Sequence, residues 1–386
     1  MTKWKLPLFK TYSDKEDIKA VTKIIKRGTS WAVGPEIAEF EEKLAKYVGT
    51  KYALTFNSGT SALHILLLAH NIKDKEVIVP SFTFVATASA VVLAGGKPVF
   101  AESESTTFGL DIRDVKKKIT PKTKAIIQLH YGGFPAQDTI DLRELADKHN
   151  IIFIEDAAES LGATINGKKV GSFGHSAIFS FCQNKVISTG EGGAIVTNSD
   201  EIYEKAKLLR SHGRLETVQD YFSSIGNNDY IEAGYNFRMS TMLAALGLSQ
   251  LNKIEKIIKK RRELGAYLSK HLQKIGKILI PREIEGTMSV YQMYTLKLAS
   301  FKLTERDDLQ SYLAKKGIMS KVYFNPIHLL TLFKKYGYKP GDLPNTEALS
   351  KIVLNIPFFP HMTKKESDYI IGCIKQYFEG DSNEKS

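Results

Sequence analysis

Residues 153–197 read FIEDAAESLGATINGKKVGSFGHSAIFSFCQNKVISTGEGGAIVT, and this stretch decides the fold. An apolar run from Ile151 to Ile154 ends in the acidic pair Glu155-Asp156. A second run, Ala177 to Phe181, leads within four residues to Lys185. The glycines Gly190, Gly192 and Gly193 then precede a third run, Ala194 to Val196. Short apolar runs bounded by turn residues read as buried strands. They would bring an acid and a lysine to one edge of a sheet, where open α/β sheets bind their ligands.

Working outward, strand and helix patterns alternate. Tyr52 to Phe56 reads as a strand, Asn57 to Ser61 as a small polar turn, and Ala62 to Leu67 as a helix. Such a turn is either a plain helix cap by Ser58 or Thr60, or an anion site made by free N–H groups and the helix dipole. Val77 to Val79 runs into Pro80-Ser81-Phe82-Thr83-Phe84 and a helix over 85–94, followed by the strand KPVFAE. Phe82 and Phe84 both read as core from the sequence, with stacking on a flat ligand as the alternative. Lys124 to Leu129 is a further strand, and 141–149 has helical spacing. This alternation predicts a largely parallel sheet covered by helices. Upstream, helices are expected over 14–27, capped by Ser13 or Asp14, and over 36–48 after Pro35. Residues 211–232 read as a long polar loop. Beyond a basic helix near 253–277 the pattern changes to a strand over 290–298 and helices over 304–316 and 364–377.

The 386 residues suggest two or three domains, and ordinary hydrophobic and charged fractions of 43% and 25% indicate a globular chain. No apolar run reaches membrane-spanning length, and the N-terminus does not read as a secretory signal. Two cysteines, Cys182 and Cys373, give no disulfide framework and suit a reducing cytoplasm. Cys182 reads as a buried thiol rather than a reactive one. The net charge of +12 raises nucleic-acid binding, but Lys259-Lys260-Arg261-Arg262 lies in an amphipathic helix pattern and reads as a solvated face. No nucleic acid, membrane or metal partner is expected. A basic field does suit an anionic, phosphate-bearing substrate.

An acid and a lysine at strand ends, a phosphate-type turn and an aromatic platform together suit pyridoxal 5′-phosphate. Its aldehyde needs an amine, its ring nitrogen a carboxylate and its phosphate an anion site. The plain alternative is an Asp156–Lys185 salt bridge. SGTSALH (58–64), PSFTFVATA (80–88), IEDAAESLGA (154–163), FSF…NK…TGEGGAIVT (179–197) and GYNFRM…ALGLSQL (234–251) resemble successive signatures of the DegT/StrS-type sugar aminotransferases, fold-type I pyridoxal phosphate enzymes. The likeness runs through nearly the whole chain.

The resemblance implies an α/β fold. A large domain, 1–255, would hold a mostly parallel seven-stranded sheet, and 256–386 would form a smaller α+β domain. Lys185 would bond the cofactor and Asp156 would pair with its ring nitrogen. Gly59, Thr60, Ser61 and Ser180 would hold the phosphate, and Phe84 would stack on the ring. Asn236 would reach the phosphate in the other subunit of a homodimer. Glu159 stands where many relatives have glutamine, near the cofactor hydroxyl. Lysine at 185, rather than the histidine of related dehydratases, implies amino transfer. The implied substrates are L-glutamate and a nucleoside-diphosphate-linked keto-sugar. The NKVISTGEGG spacing resembles members that act at C4 of a 4-keto-6-deoxy sugar. An aminotransferase of a free cyclic ketone and a non-catalytic cofactor-bound regulator are the other open classes. His328, Trp31, Arg210, His212 and Arg238 are either substrate contacts or packing residues.

Overall fold

The computed structural model describes residues 4–215, 229–300 and 303–383. Most of the long polar loop expected over 211–232, namely 216–228, lies outside the described residues. Seven strands form the main sheet: β1 (Tyr52–Phe56), β2 (Glu76–Pro80), β3 (Lys97–Ala101), β4 (Thr123–Leu129), β5 (Ile152–Asp156), β6 (Ser176–Ser180) and β7 (Gly193–Thr197). Their spatial order is β1-β7-β6-β5-β4-β2-β3. Neighbours from β6 across to β3 are parallel, while β7 runs antiparallel to both β1 and β6. The expected α/β sheet is thus present. The reversal at β7 has a consequence for the site: the chain leaving β6 turns back within 181–192, which keeps Lys185 at the same edge as the end of β5.

Strand periodicity places successive side chains on opposite faces of the sheet. Ile154, Ile178 and Ile195 join one core with the helix Gly59–Ala69, while Ala177, Phe179, Ala194 and Val196 join another with the helix Pro35–Val48. The helix Gly59–Ala69 (GTSALHILLLA) is apolar almost all round because it is buried on nearly every side. Burying so much apolar surface, at about 25 cal/mol per Å², is what fixes its first turn against the sheet edge.

The C-terminal part forms a three-stranded sheet, Ile278–Leu279, Tyr294–Leu298 and Val353–Ile356, covered by the helices Leu303–Lys315 and Lys364–Asn383. The helix Ile254–Leu272 connects the two parts. Ile254, Ile257 and Ile258 pack into the large core, and Leu268 and Leu272 into the C-terminal one. The N-terminal arm crosses over: Leu6 lies in the C-terminal core and the Phe358 N–H donates to Leu8 O at 3.0 Å. The basic run in the connecting helix is not wholly a solvated face. Arg261 is buried and donates to the carbonyls of Tyr291 (3.1 Å) and Gln292 (3.3 Å), and Arg262 pairs with Glu283. No helix among the described residues is long and apolar enough to cross a membrane.

Candidate active site

β5 ends in two adjacent carboxylates that face opposite ways. Glu155 is fully buried and accepts from His130 Nε2 at 2.9 Å and from the N–H groups of Gly171, Phe173 and Gly174 at 2.8, 2.7 and 2.6 Å. Burial alone would raise its pKa; the bond and charge of His130 and these N–H donors hold it below the ordinary value. Glu155 therefore ties the 171–174 loop to the sheet. Asp156 instead faces a cavity of about 420 Å³ at the carboxyl ends of the strands. It accepts from Thr87 Oγ1 at 2.8 Å and from the Ala158 N–H at 3.3 Å, with Thr83 Oγ1 2.9 Å from Thr87 Oγ1. Burial pushes its pKa up, against the opposing pull of these donors. A buried carboxylate so placed is matched to a protonated nitrogen in the cavity.

Lys185 lines the same cavity. Its N–H donates to Cys182 O at 2.9 Å, which closes the turn that presents the side chain. The carboxylate beside its Nζ is Glu159 Oε1, at 3.4 Å, and not Asp156. Glu159 Oε2 in turn accepts the Gly132 N–H at 2.8 Å. The Asp156–Lys185 salt bridge is therefore absent, and the two groups are left facing one space.

At another wall of the cavity, the helix Gly59–Ala69 begins. Ser58 is its N-cap and accepts the Ser61 N–H at 3.0 Å, so the capping reading of the turn holds. Ser58, Gly59 and Thr60 nevertheless line the cavity, together with Ser180 at the end of β6. Ser61 does not line it; its hydroxyl lies 2.8 Å from Ser58 Oγ and supports the cap. The approach is close enough to require a glycine at 193 and is tight at 59. A Cβ on Gly193 would lie 2.5 Å from Gly59 N, and one on Gly59 would lie 3.0 Å from Ser180 Cβ.

The two phenylalanines part company. Phe82 is fully buried and stacked on Phe108 at 5.3 Å, whereas Phe84 is 59% exposed and lines the cavity. The core expectation is thus right for Phe82 and wrong for Phe84, because the strand-end bend turns one ring inward and the other to the opening. Cys182 is half-buried rather than fully buried and lines the cavity; burial together with Glu191 raises its thiol pKa. Asn236 is exposed, paired through its backbone with Ser211, and does not line this cavity. His328 is buried between Ser81 (2.6 Å) and Glu347 (3.3 Å), and Arg210 bonds Glu41 and Thr55 O at 2.6 and 2.8 Å. Trp31 Nε1 donates to Ile24 O at 3.1 Å, and Arg238 to Ser211 Oγ at 2.9 Å. None of these four lines the cavity, and neither does His212.

Sequence reading passed over Thr87, Phe9, Lys321, Tyr323 and Phe324, all of which line the cavity. The four-residue spacing of Thr83 and Thr87 at a helix start was the available signal for a hydroxyl pair on one face. A second cleft, of about 520 Å³, lies at the opposite edge of the sheet near His70, Lys124 and His175, away from the strand ends where such sheets bind ligands.

An amine, a buried acid, a hydroxyl-rich helix N-terminus and an aromatic ring around one cavity fit pyridoxal 5′-phosphate at each of its functional groups. Known proteins agree. The model of the DegT/DnrJ/EryC1/StrS aminotransferase family matches residues 11–375. The chain is 34% identical to the GDP-perosamine synthase of Vibrio cholerae, covering 97% of this chain and 99% of the relative. It is 34% identical to the UDP-4-amino-4,6-dideoxy-N-acetyl-β-L-altrosamine transaminase of Campylobacter jejuni, over 93% of this chain and 95% of the relative. Among solved structures, Helicobacter pylori PseC, an aminotransferase involved in pseudoaminic acid biosynthesis, superposes with a TM-score of 0.90 at 31% identity, covering 97% of this chain and 99% of PseC. Fold, cavity chemistry and near-full-length similarity converge: the chain belongs to the DegT/DnrJ/EryC1/StrS family, as a pyridoxal 5′-phosphate-dependent sugar aminotransferase.

Proposed function

We propose that this sugar aminotransferase moves the amino group of L-glutamate to C4 of a 4-keto-6-deoxy sugar carried on a nucleoside diphosphate. The observation that carries this reading is the single cavity on which Asp156, Lys185, Ser180 and the start of the helix Gly59–Ala69 converge. When bound, pyridoxal 5′-phosphate supplies an electron sink for the carbanion formed beside the transferred nitrogen. Asp156 Oδ2, oriented by Thr87, holds the proton on the ring nitrogen. Lys185 Nζ would be the amine that holds the cofactor aldehyde and the base that would carry a proton at the reacting carbon. Glu159 Oε1, 3.4 Å from Nζ, would keep the lysine side chain directed into the cavity. Gly59, Thr60 and Ser180 would hold the phosphate, and Phe84 would cover the ring.

The nucleotide-linked acceptor is supported by the names of the Vibrio cholerae and Campylobacter jejuni relatives, and C4 of a 6-deoxy sugar by the latter. Lys321 at the cavity, with a net charge of +12, suits a diphosphate. The same reading makes the chain a cytoplasmic homodimer in which the exposed Asn236 reaches the partner's cofactor phosphate. Mass spectrometry of full-length protein incubated with L-glutamate and a panel of keto-sugar nucleotides and keto-cyclitols tests the assignment. Amination of a nucleotide-linked 4-keto-6-deoxy sugar is expected; amination of keto-cyclitols alone, or of no ketone, would overturn it.

A further inference from the structure

Lys185 sits on a turn whose three preceding carbonyls are all occupied. Cys182 O accepts the Lys185 N–H at 2.9 Å, and Gln183 O accepts Thr11 Oγ1 from the N-terminal arm at 2.8 Å. Asn184 O, immediately before the lysine, accepts Gln292 Nε2. Gln292 is 108 residues away and 3% exposed, and its Oε1 has no partner among the described residues. The single bond to Asn184 is therefore what orients this amide.

The backbone around Gln292 is itself pinned. Buried Arg261 donates to the carbonyls of Tyr291 and Gln292 at 3.1 and 3.3 Å. Val290 and Met293 N–H groups donate to Gly133 O and Gly132 O at 3.0 and 3.1 Å. The approach is tight: a Cβ on Gly133 would lie 2.5 Å from Gln292 N. Gly132 also supplies the N–H that holds Glu159, the carboxylate beside Lys185 Nζ. Segment 289–293 thus reaches the lysine twice, through its turn and through its charged neighbour.

We infer that Gln292 is a positioning residue for Lys185, fixing the turn from which the amine enters the cavity. The inference rests on the assignment of Lys185 as the cofactor-bonding lysine. Misplacement of a reacting group by about 1 Å costs roughly a hundredfold in rate. An unheld Asn184 carbonyl would let the turn shift while leaving the substrate contacts in place, so the effect falls on kcat rather than on KM.

The test uses the full-length chain stripped of cofactor, with pyridoxal 5′-phosphate as the probe. Stopped-flow absorbance follows the visible band that grows as the lysine amine adds to the aldehyde and one water leaves. Gln292→Met keeps length and removes the donor; Gln292→Asn keeps the amide but withdraws it by one methylene. We expect Gln292→Met to slow band formation and lower kcat by about tenfold to a hundredfold, with KM for L-glutamate changed less than about threefold. Gln292→Asn should fall between it and the parent. Ser269→Ala, which removes a 2.8 Å contact with Tyr294 in the C-terminal part, should lower Tm and leave the capture rate alone. Parent-like capture rates in folded Gln292 variants, a loss of Tm only, or failure of both to fold would overturn the inference. A lysine-type band that persists in Lys185→Ala would refute the underlying lysine assignment instead.

Discussion

Asp156 is a charge that the protein alone compensates poorly. Folding buries it, offers it one hydroxyl and one N–H, and raises its pKa above 3.8. A carboxyl with a raised folded-state pKa binds its proton more tightly when folded. Ionised Asp156 therefore costs stability above its folded pKa, and that cost disappears as the pH falls below its unfolded value of 3.8. Asp156→Asn should accordingly raise the Tm of the cofactor-free chain at neutral pH, and the gain should vanish in acid. The same variant should lower amino transfer by at least about a hundredfold, the scale seen when a preorganised electrostatic partner is removed. A neutral-pH Tm below that of the parent would contradict this account. Glu155, one residue earlier, behaves in the opposite sense because four donors meet it.

At the scale of elements, the glycines after Lys185 act through contact. Gly193 begins β7 directly beneath the first turn of the helix Gly59–Ala69, and a Cβ there would lie 2.5 Å from both Gly59 N and Ser58 C. These are backbone atoms and cannot move without shifting the end of the cavity proposed to hold the phosphate. Gly193→Ala should therefore weaken cofactor affinity about tenfold or more, measured by fluorescence titration with pyridoxal 5′-phosphate. An unchanged affinity in the folded variant would show that this first turn takes no part in holding the phosphate. Here the sequence was informative, because an apolar run, an acid, a lysine and a glycine cluster lie within one stretch. It was less informative for 290–298, which alternates like one strand. The strand begins only at Tyr294, because Val290 and Met293 bond instead to the Gly132-Gly133 bend. Nothing local announces that bend, so Gln292 and its bond to Asn184 were hidden in an apparent strand. Phe84 was ambiguous for a related reason: period-2 patterning does not say where a strand ends and its last ring turns outward.

For the whole molecule, the cavity is assembled from distant parts of the chain. Phe9 comes from the N-terminal arm, Asp156 and Lys185 from the central sheet, and Lys321, Tyr323 and Phe324 from the C-terminal part. Motif order made the central-sheet set legible, since each motif pairs a strand end with a polar group, whereas nothing in the arm marked Phe9. The C-terminal contributors lie in a connection with little periodicity, and their place depends on how the two cores meet across the helix Ile254–Leu272. The central claim is that Lys185 and Asp156 serve one cofactor in amino transfer from L-glutamate. The most direct measurement is the absorbance spectrum of the purified holoenzyme, before and after L-glutamate, compared with Lys185→Ala. A visible band is expected in the parent that depends on Lys185 and is lost on adding L-glutamate as the cofactor takes up the amino group. A band indifferent to Lys185→Ala, or one that L-glutamate leaves unchanged, would contradict it.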